Sequence, residues 1–192
     1  MTKPMLIIIN GPPGAGKTML ARYLARELHF PVIGKDEIKE MLFDSLGWKD
    51  REWSVKLGRA SVELLFLFAE AQLAVGRSLI IENAFQLNFE TEKFLALRKK
   101  YDFEPVQIYC DADDEILLQR FRTRVESGAR HPGHVDGSNY DEFNAVLRSG
   151  KYGRLDIGGQ LIELDTSNFD TLDYGALLKV LRDAIKMAVR LL

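Results

Sequence analysis

Gly11-Pro12-Pro13-Gly14-Ala15-Gly16-Lys17-Thr18 follows directly on the apolar run Met5–Ile9 and satisfies the spacing G-x-x-x-x-G-K-[ST]. Each part has a physical use in holding a polyphosphate. Closely spaced backbone N–H groups at a helix N-terminus surround an anion, and the helix dipole adds to their pull. Gly14 and Gly16 allow backbone angles and a close approach that a Cβ would block. Pro12 and Pro13 carry no N–H, so the cradle is expected from Gly14, Ala15, Gly16, Lys17 and Thr18, with the prolines stiffening its first half. Lys17 is expected to reach the β- and γ-phosphates, and the Thr18 hydroxyl to ligate Mg2+. A glycine turn followed by a surface lysine is the bland alternative, and the placement between a strand and a helix speaks against it. The chemistry indicated is the binding of a nucleoside triphosphate.

Three further groups have side chains suited to phosphoryl transfer. Asp36 follows the apolar run Pro31–Gly34, which places it on the same sheet edge as the phosphate loop. An enzyme of this kind needs a carboxylate to orient and deprotonate the attacking hydroxyl. Asp is also a favoured helix N-cap, but three residues on stands Lys39 rather than the Glu or Gln of a capping box. Glu82 closes the run Leu79-Ile80-Ile81, where an acid either holds a water on Mg2+ or contacts the acceptor. A locally bonded strand terminus is the alternative for Glu82, and Asn83 shares it. Arg120, Arg122, Arg124 and Arg130 occupy a short span in which only Glu126 carries an opposing charge. On a helix Arg120 and Arg124 face the same way, whereas Arg122 points to solvent. Guanidinium groups on a closing lid would meet the charge of the transferring phosphoryl group, and a solvated basic helix face is the competing explanation.

These residues resemble a known group. Ile9-Asn10-Gly11-Pro12-Pro13-Gly14-Ala15-Gly16-Lys17-Thr18, followed by Ile33-Gly34-Lys35-Asp36-Glu37-Ile38-Lys39, is similar to the small P-loop kinases of the zeta-toxin, chloramphenicol phosphotransferase and polynucleotide 5′-kinase type, often described as AAA-family ATP-binding proteins. The likeness runs through most of the chain, and the phosphate loop is its specific part. It implies ATP as donor and Asp36 as the base, with Lys39 standing where arginine is common and Glu82 where aspartate is common. Arg120-x-x-x-Arg124 before Ser127-Gly128 is similar to the start of the lid in adenylate-kinase-like enzymes. That resemblance assigns Arg120 to the adenine and Arg124 to the phosphates, with Arg130 a second phosphate contact. It also places Thr166, in the loop Asp165-Thr166-Ser167, beside the adenine.

The elements that would position these groups are legible as alternating patterns. Met5–Ile9, Pro31–Gly34, Ser78–Ile81, Val106–Cys110 and Leu161–Leu164 are short apolar runs of the kind that parallel strands, covered on both faces, produce. Helical patterns cover Lys17–Leu28, Asp36–Leu46, Asp50–Val75, Glu90–Tyr101, Asp113–Ser127 and Leu172–Leu191. In the long third one, Leu64–Ala69 is apolar all round and is expected to be buried or at an interface. Together they predict an α/β, three-layer P-loop NTPase fold: five parallel strands, helices on both faces, ligands at the strand C-termini and an arginine-bearing lid. The reading is one domain over residues 1–192, with the lid at about 125–140 and the acceptor region at about 36–78. Gly128, Gly133 and Gly137 suit a hinging segment, and His131 and His134 are expected to make polar lid contacts rather than bind a metal. Trp48 and Trp53 are expected in a core rather than stacked on a substrate.

Composition narrows the partners. The 26 basic and 28 acidic side chains give a net charge of −2, against a general nucleic-acid binder and modestly against a polynucleotide acceptor. The single cysteine, Cys110, with no long apolar span and no signal-like N-terminus, points to a cytoplasmic, reducing setting without a membrane. The function indicated is an ATP-dependent kinase acting on a hydroxyl of a small molecule. A polynucleotide 5′-hydroxyl kinase is the alternative, with Lys35, Lys39, Arg51, Lys56 and Arg59 as its contacts. A regulatory P-loop ATPase is the alternative from another class. The acceptor and the oligomeric state are not written in the sequence.

Overall fold

The computed structural model describes residues 3–128, 130–135, 143–145, 147, 149 and 151–190. Its elements are β1 (Met5–Asn10), α1 (Lys17–Leu28), β2 (Val32–Gly34), α2 (Lys35–Leu46), α3 (Arg51–Ala74), β3 (Leu79–Glu82), α4 (Leu87–Lys100), β4 (Glu104–Asp111), α5 (Asp114–Glu126), β5 (Gln160–Asp165) and α6 (Tyr174–Arg190). Short 3-10 turns stand at Pro132–His134 and Phe169–Thr171. The five strands form one parallel sheet in the order β2-β3-β1-β4-β5.

Central β1 shows why its run is continuous rather than alternating. Leu6 and Ile8 pack on one face against Leu65, Phe66 and Ala69 of α3 and Phe94 and Leu97 of α4. Ile7 and Ile9 pack on the other against Leu20 and Leu24 of α1, Leu117 of α5 and Leu181 of α6. Both sets must therefore be apolar. Edge strand β5 departs from the expected burial: Leu161 is 42% exposed, because only one neighbour covers it. In α3 the all-round apolar stretch is buried on one face only, with Leu65, Phe66 and Ala69 inside and Leu64 and Leu67 exposed. Helix α4 starts at Leu87, before the expected Glu90, because the Glu90 carboxylate reaches back to accept from the Gln86 N–H at 2.6 Å.

Strand order has one consequence for the site. Gly11 leaves β1 at φ +137°, and a Cβ there would stand 1.9 Å from the Cys110 carbonyl oxygen of β4. Gly11→Ala is therefore expected to destabilise the fold by at least roughly 1–3 kcal/mol. At about 2–4 °C per kcal/mol for a chain of this size, thermal unfolding will show it. An unchanged melting temperature would refute the close approach.

Candidate active site

The phosphate loop joins β1 to α1. Gly14 and Gly16 have φ +91° and +74°, in the region that favours glycine. The first turn of α1 holds no acidic side chain, so its N–H groups face no built-in competitor for an anion. Lys17 is buried and donates from Nζ to the Pro12 carbonyl at 2.8 Å. Burial lowers its pKa, against the opposing pull of the Glu82 carboxylate. The Thr18 hydroxyl donates to Glu82 Oε1 at 3.0 Å. Burial raises the Glu82 pKa, partly offset by the Lys17 charge. Register explains how Glu82 fits: it lies opposite Gly34 of β2, where a Cβ would stand 2.5 Å from its Oε1. Glu82 and Asn83 are both buried.

A hydroxyl and one carboxylate, adjacent beside a phosphate cradle, are a donor set that suits Mg2+. That ion prefers few protein oxygens and completes its octahedron with water and phosphate. No group of three or more acidic, His or Cys side chains able to hold an ion occurs among the described residues.

Asp36 is not the cap of α2. The cap is Gly34, whose N–H is reached by Glu37 at 3.3 Å, which leaves Asp36 inside the first turn with its carboxylate free of backbone duty. The capping residue lies two positions earlier than a sequence reading centred on Asp36 places it. Lys35 Nζ donates to Asp36 Oδ1 at 2.9 Å, and Arg130 donates to Oδ2 at 2.6 Å. Burial would raise the Asp36 pKa, but the Lys35 and Arg130 charges outweigh it and hold the carboxylate well below its ordinary range. Asp36 is thus ionised at neutral pH, the state in which a carboxylate can accept a hydrogen bond from a hydroxyl.

Lys39 turns inward, with Nζ 2.9 Å from Ser54 Oγ of α3 and over the Phe43 ring at 5.2 Å. Burial and the neighbouring Lys35 charge lower its pKa to about 7. Lys56 and Arg59 are exposed on α3. Trp48 is 50% exposed and Trp53 partly so, donating from Nε1 to the Gly47 carbonyl. The expected core placement therefore fails for both: Trp48 sits in the turn between α2 and α3, and Trp53 in the first turn of α3.

The arginines divide. Arg120 lies over the Phe169 ring at 4.1 Å and donates to the carbonyls of Thr166 (2.8 Å) and Ser167 (2.9 Å). Thr166 is itself buried, its hydroxyl donating to the Asp111 carbonyl. Phe169, absent from the sequence reading, also sits on the phosphate loop, where a Cβ on Gly16 would come within 2.4 Å of its ring. No spacing in the sequence announces it. Arg124 borders a shallow depression with Gln119, Arg120, Thr123 and Ser127, close enough for its charge to lower the Lys17 pKa. Arg122 is exposed.

Arg130–Val135 lies across α2. Gly133 serves contact rather than hinging, since a Cβ on it would meet the Phe43 ring at 2.7 Å. Gly128, at φ +64° with open space around it, retains the freedom a hinge needs. Gly137 lies outside the described residues. His131 stacks on Phe43 at 5.1 Å. His134 touches Arg130 and Glu40, a connection nothing in the sequence spacing reveals.

A family model described as an AAA domain matches residues 6–149. Cytidylate kinase of Pyrobaculum islandicum is 31% identical over 123 residues, 62% of this chain and 60% of that enzyme's length. Cytidylate kinase of Pyrobaculum arsenaticum is 26% identical over 96% of this chain and 91% of its own. Among solved structures, a candidate kinase from Chloroflexus aurantiacus J-10-fl is 37% identical with TM-score 0.85, covering 94% of this chain and 98% of its own. Kti12 of Chaetomium thermophilum, solved with ADP-AlF3, shares the fold at TM-score 0.64 and 18% identity, over 95% of this chain and 98% of its own. No helix among the described residues is long and apolar enough to cross a membrane.

Proposed function

The chain belongs to that AAA domain family and is built as a P-loop phosphotransferase, and from this we propose that it is an ATP-dependent kinase that moves the γ-phosphate onto a hydroxyl of a small molecule. One observation carries the reading: Asp36 is fixed by Lys35 and Arg130 on the same sheet edge as Lys17, Thr18 and Glu82. In this reading Gly14, Ala15, Gly16, Lys17 and Thr18 enclose the phosphates, and Arg120 and the Thr166 loop border the adenine. Thr18 and Glu82 would hold Mg2+, which when bound would neutralise phosphate charge. Because Thr166 spends its hydroxyl on Asp111, its share in the base pocket falls to its backbone and to Arg120, which it anchors.

Transfer proceeds through a loose transition state, so positioning and charge matter more than a strong base. Asp36, kept ionised by its two cations, orients the attacking hydroxyl and receives its proton late. Lys17, Arg124 and Arg130 meet the negative charge of the transferring group. Residues of about 36–78 would frame the acceptor, and the lid at about 125–140, of which residues 129 and 136–140 lie outside the described residues, would cover it.

A small acceptor is favoured over a polynucleotide end by the fate of the basic residues. Lys35 is spent on Asp36 and Lys39 points into the protein, so neither continues a basic track from exposed Lys56 and Arg59. The test is transfer of labelled γ-phosphate from ATP to a panel of hydroxylated small molecules, cytidine monophosphate and 5′-hydroxyl oligonucleotides. Transfer to a small hydroxyl is expected. Labelling of oligonucleotides alone, of the nucleotide's phosphate alone, or ATP hydrolysis indifferent to every acceptor would each replace this reading.

A further inference from the structure

The strap Arg130–Val135 carries the sequence Arg-His-Pro-Gly-His-Val and is fastened to α2 and α3 at several points. Gly133 lies against Phe43, His131 stacks on the same ring, and the Ser54 hydroxyl is 3.4 Å from the His134 carbonyl. His134 itself is 3% exposed, with its ring edge-on to Phe43 at 5.3 Å. Burial and the adjacent Arg130 charge push its pKa down to about 2, so the imidazole is neutral wherever the protein is folded and working.

A neutral imidazole has one donor nitrogen and one acceptor nitrogen. Arg130 has only donors to offer, and its Nη2 stands 3.0 Å from His134 Nδ1. Nδ1 therefore holds the lone pair and Nε2 the hydrogen. That hydrogen points at Glu40 Oε1, 2.9 Å away. The contact is consequently a hydrogen bond from a neutral ring and not an ion pair. The same Arg130 nitrogen donates to Asp36 Oδ2 at 2.6 Å, so one guanidinium end is gripped by a ring from the strap and by a carboxylate from α2.

We propose that His134, locked in its Nε2–H tautomer by Glu40, is a positioning residue that aims the Arg130 guanidinium at Asp36 and the transferring phosphoryl group. The proposal rests on the kinase reading for the use made of Arg130, but not for the hold on it. A long side chain has many rotamers, and each acceptor that holds it removes some of them. The His134 ring adds a direction of hold different from that of Asp36. Displacing a catalytic cation by about 1 Å costs on the order of 10²-fold in rate.

Two substitutions separate aiming from mere filling. His134→Gln puts an amide donor near the Nε2 position, keeping Glu40 and losing the lone pair for Arg130. His134→Asn puts a carbonyl oxygen near the Nδ1 position, keeping Arg130 and losing Glu40. The measurements are kcat and KM on the full chain, with the acceptor identified by labelling, and 15N relaxation of the Arg130 Nε–H. For His134→Gln the expectation is a fall in kcat of about 10- to 100-fold with KM for ATP unchanged. The Arg130 order parameter should drop below about 0.6. His134→Asn should keep both near wild type. An Arg130 that stays rigid in His134→Gln overturns the proposal, as does an equal loss in both variants. If His134→Gln does not fold, Glu40→Ala takes its place: it frees the ring to turn, and an unchanged Arg130 order parameter there overturns the proposal equally. A wild-type protein that labels no acceptor would count against the kinase reading, while the relaxation measurements would still decide whether His134 holds Arg130.

Discussion

Lys17→Ala is expected to lower γ-phosphate transfer by at least about 10²–10³-fold, the usual cost of removing one preorganised donor from a developing charge. The argument is local. Lys17 Nζ is buried between the phosphate loop and β3, bonded to Pro12 and drawn by Glu82. In the proposed reading an ammonium in that position would meet the β- and γ-phosphates with little solvent screening, where a charge counts most. Alanine is the best helix former, so α1 should survive the change and the melting temperature should move little. Loss of activity with a preserved unfolding transition is thus the expected signature, read by steady-state transfer beside calorimetry. Activity within about tenfold of wild type would place the phosphates elsewhere.

The second large effect separates binding from transfer. Asp36→Asn keeps size and shape but removes the charge that Lys35 and Arg130 neutralise. Transfer is expected to fall by about 10²–10⁴-fold, the range for removing a positioned acid or base. Among the described residues Asp36 bonds to Lys35 and Arg130 and to no phosphate-loop atom, so ATP should bind with the wild-type affinity by titration calorimetry. The sign of the pKa effect sharpens this expectation. Because the folded state holds the Asp36 carboxylate well below its ordinary range, wild-type activity should not fall through Asp36 protonation until well below the usual carboxylate range. Full transfer by Asp36→Asn would remove it from the proposed mechanism.

Much of this site is visible in residue order because its parts are consecutive. A phosphate cradle is built from neighbouring backbone N–H groups and two glycine conformations, so Gly11–Thr18 announces itself, and the structure places it between β1 and α1 as the spacing predicts. Burial on both faces leaves continuous apolar runs, which is why all five strands were legible and the exposure of edge strand β5 was not. Glu82 and Asp36 were legible as acids at strand ends, since parallel strands joined by right-handed crossovers end on one edge.

What the chain order conceals is any relation carried by side chains far apart in sequence. The Asp36–Arg130 pair spans 94 residues, as does Glu40–His134, and neither motif nor periodicity links them. Phe169 joins Gly16 and Arg120 only because β5 pairs with β4, which brings its following turn over the phosphate loop. Gly34 reads only as the last residue of a strand, but the register that sets it opposite Glu82 makes it the space that carboxylate needs. The sequence by itself determined the fold class, the triphosphate cradle and the acids facing it, because local geometry and burial dictate those residue types in place. Tertiary structure alone decided strand order, the inward turn of Lys39 and the contact of buried His134 with Arg130, because distance and dielectric exist only once the layers have packed.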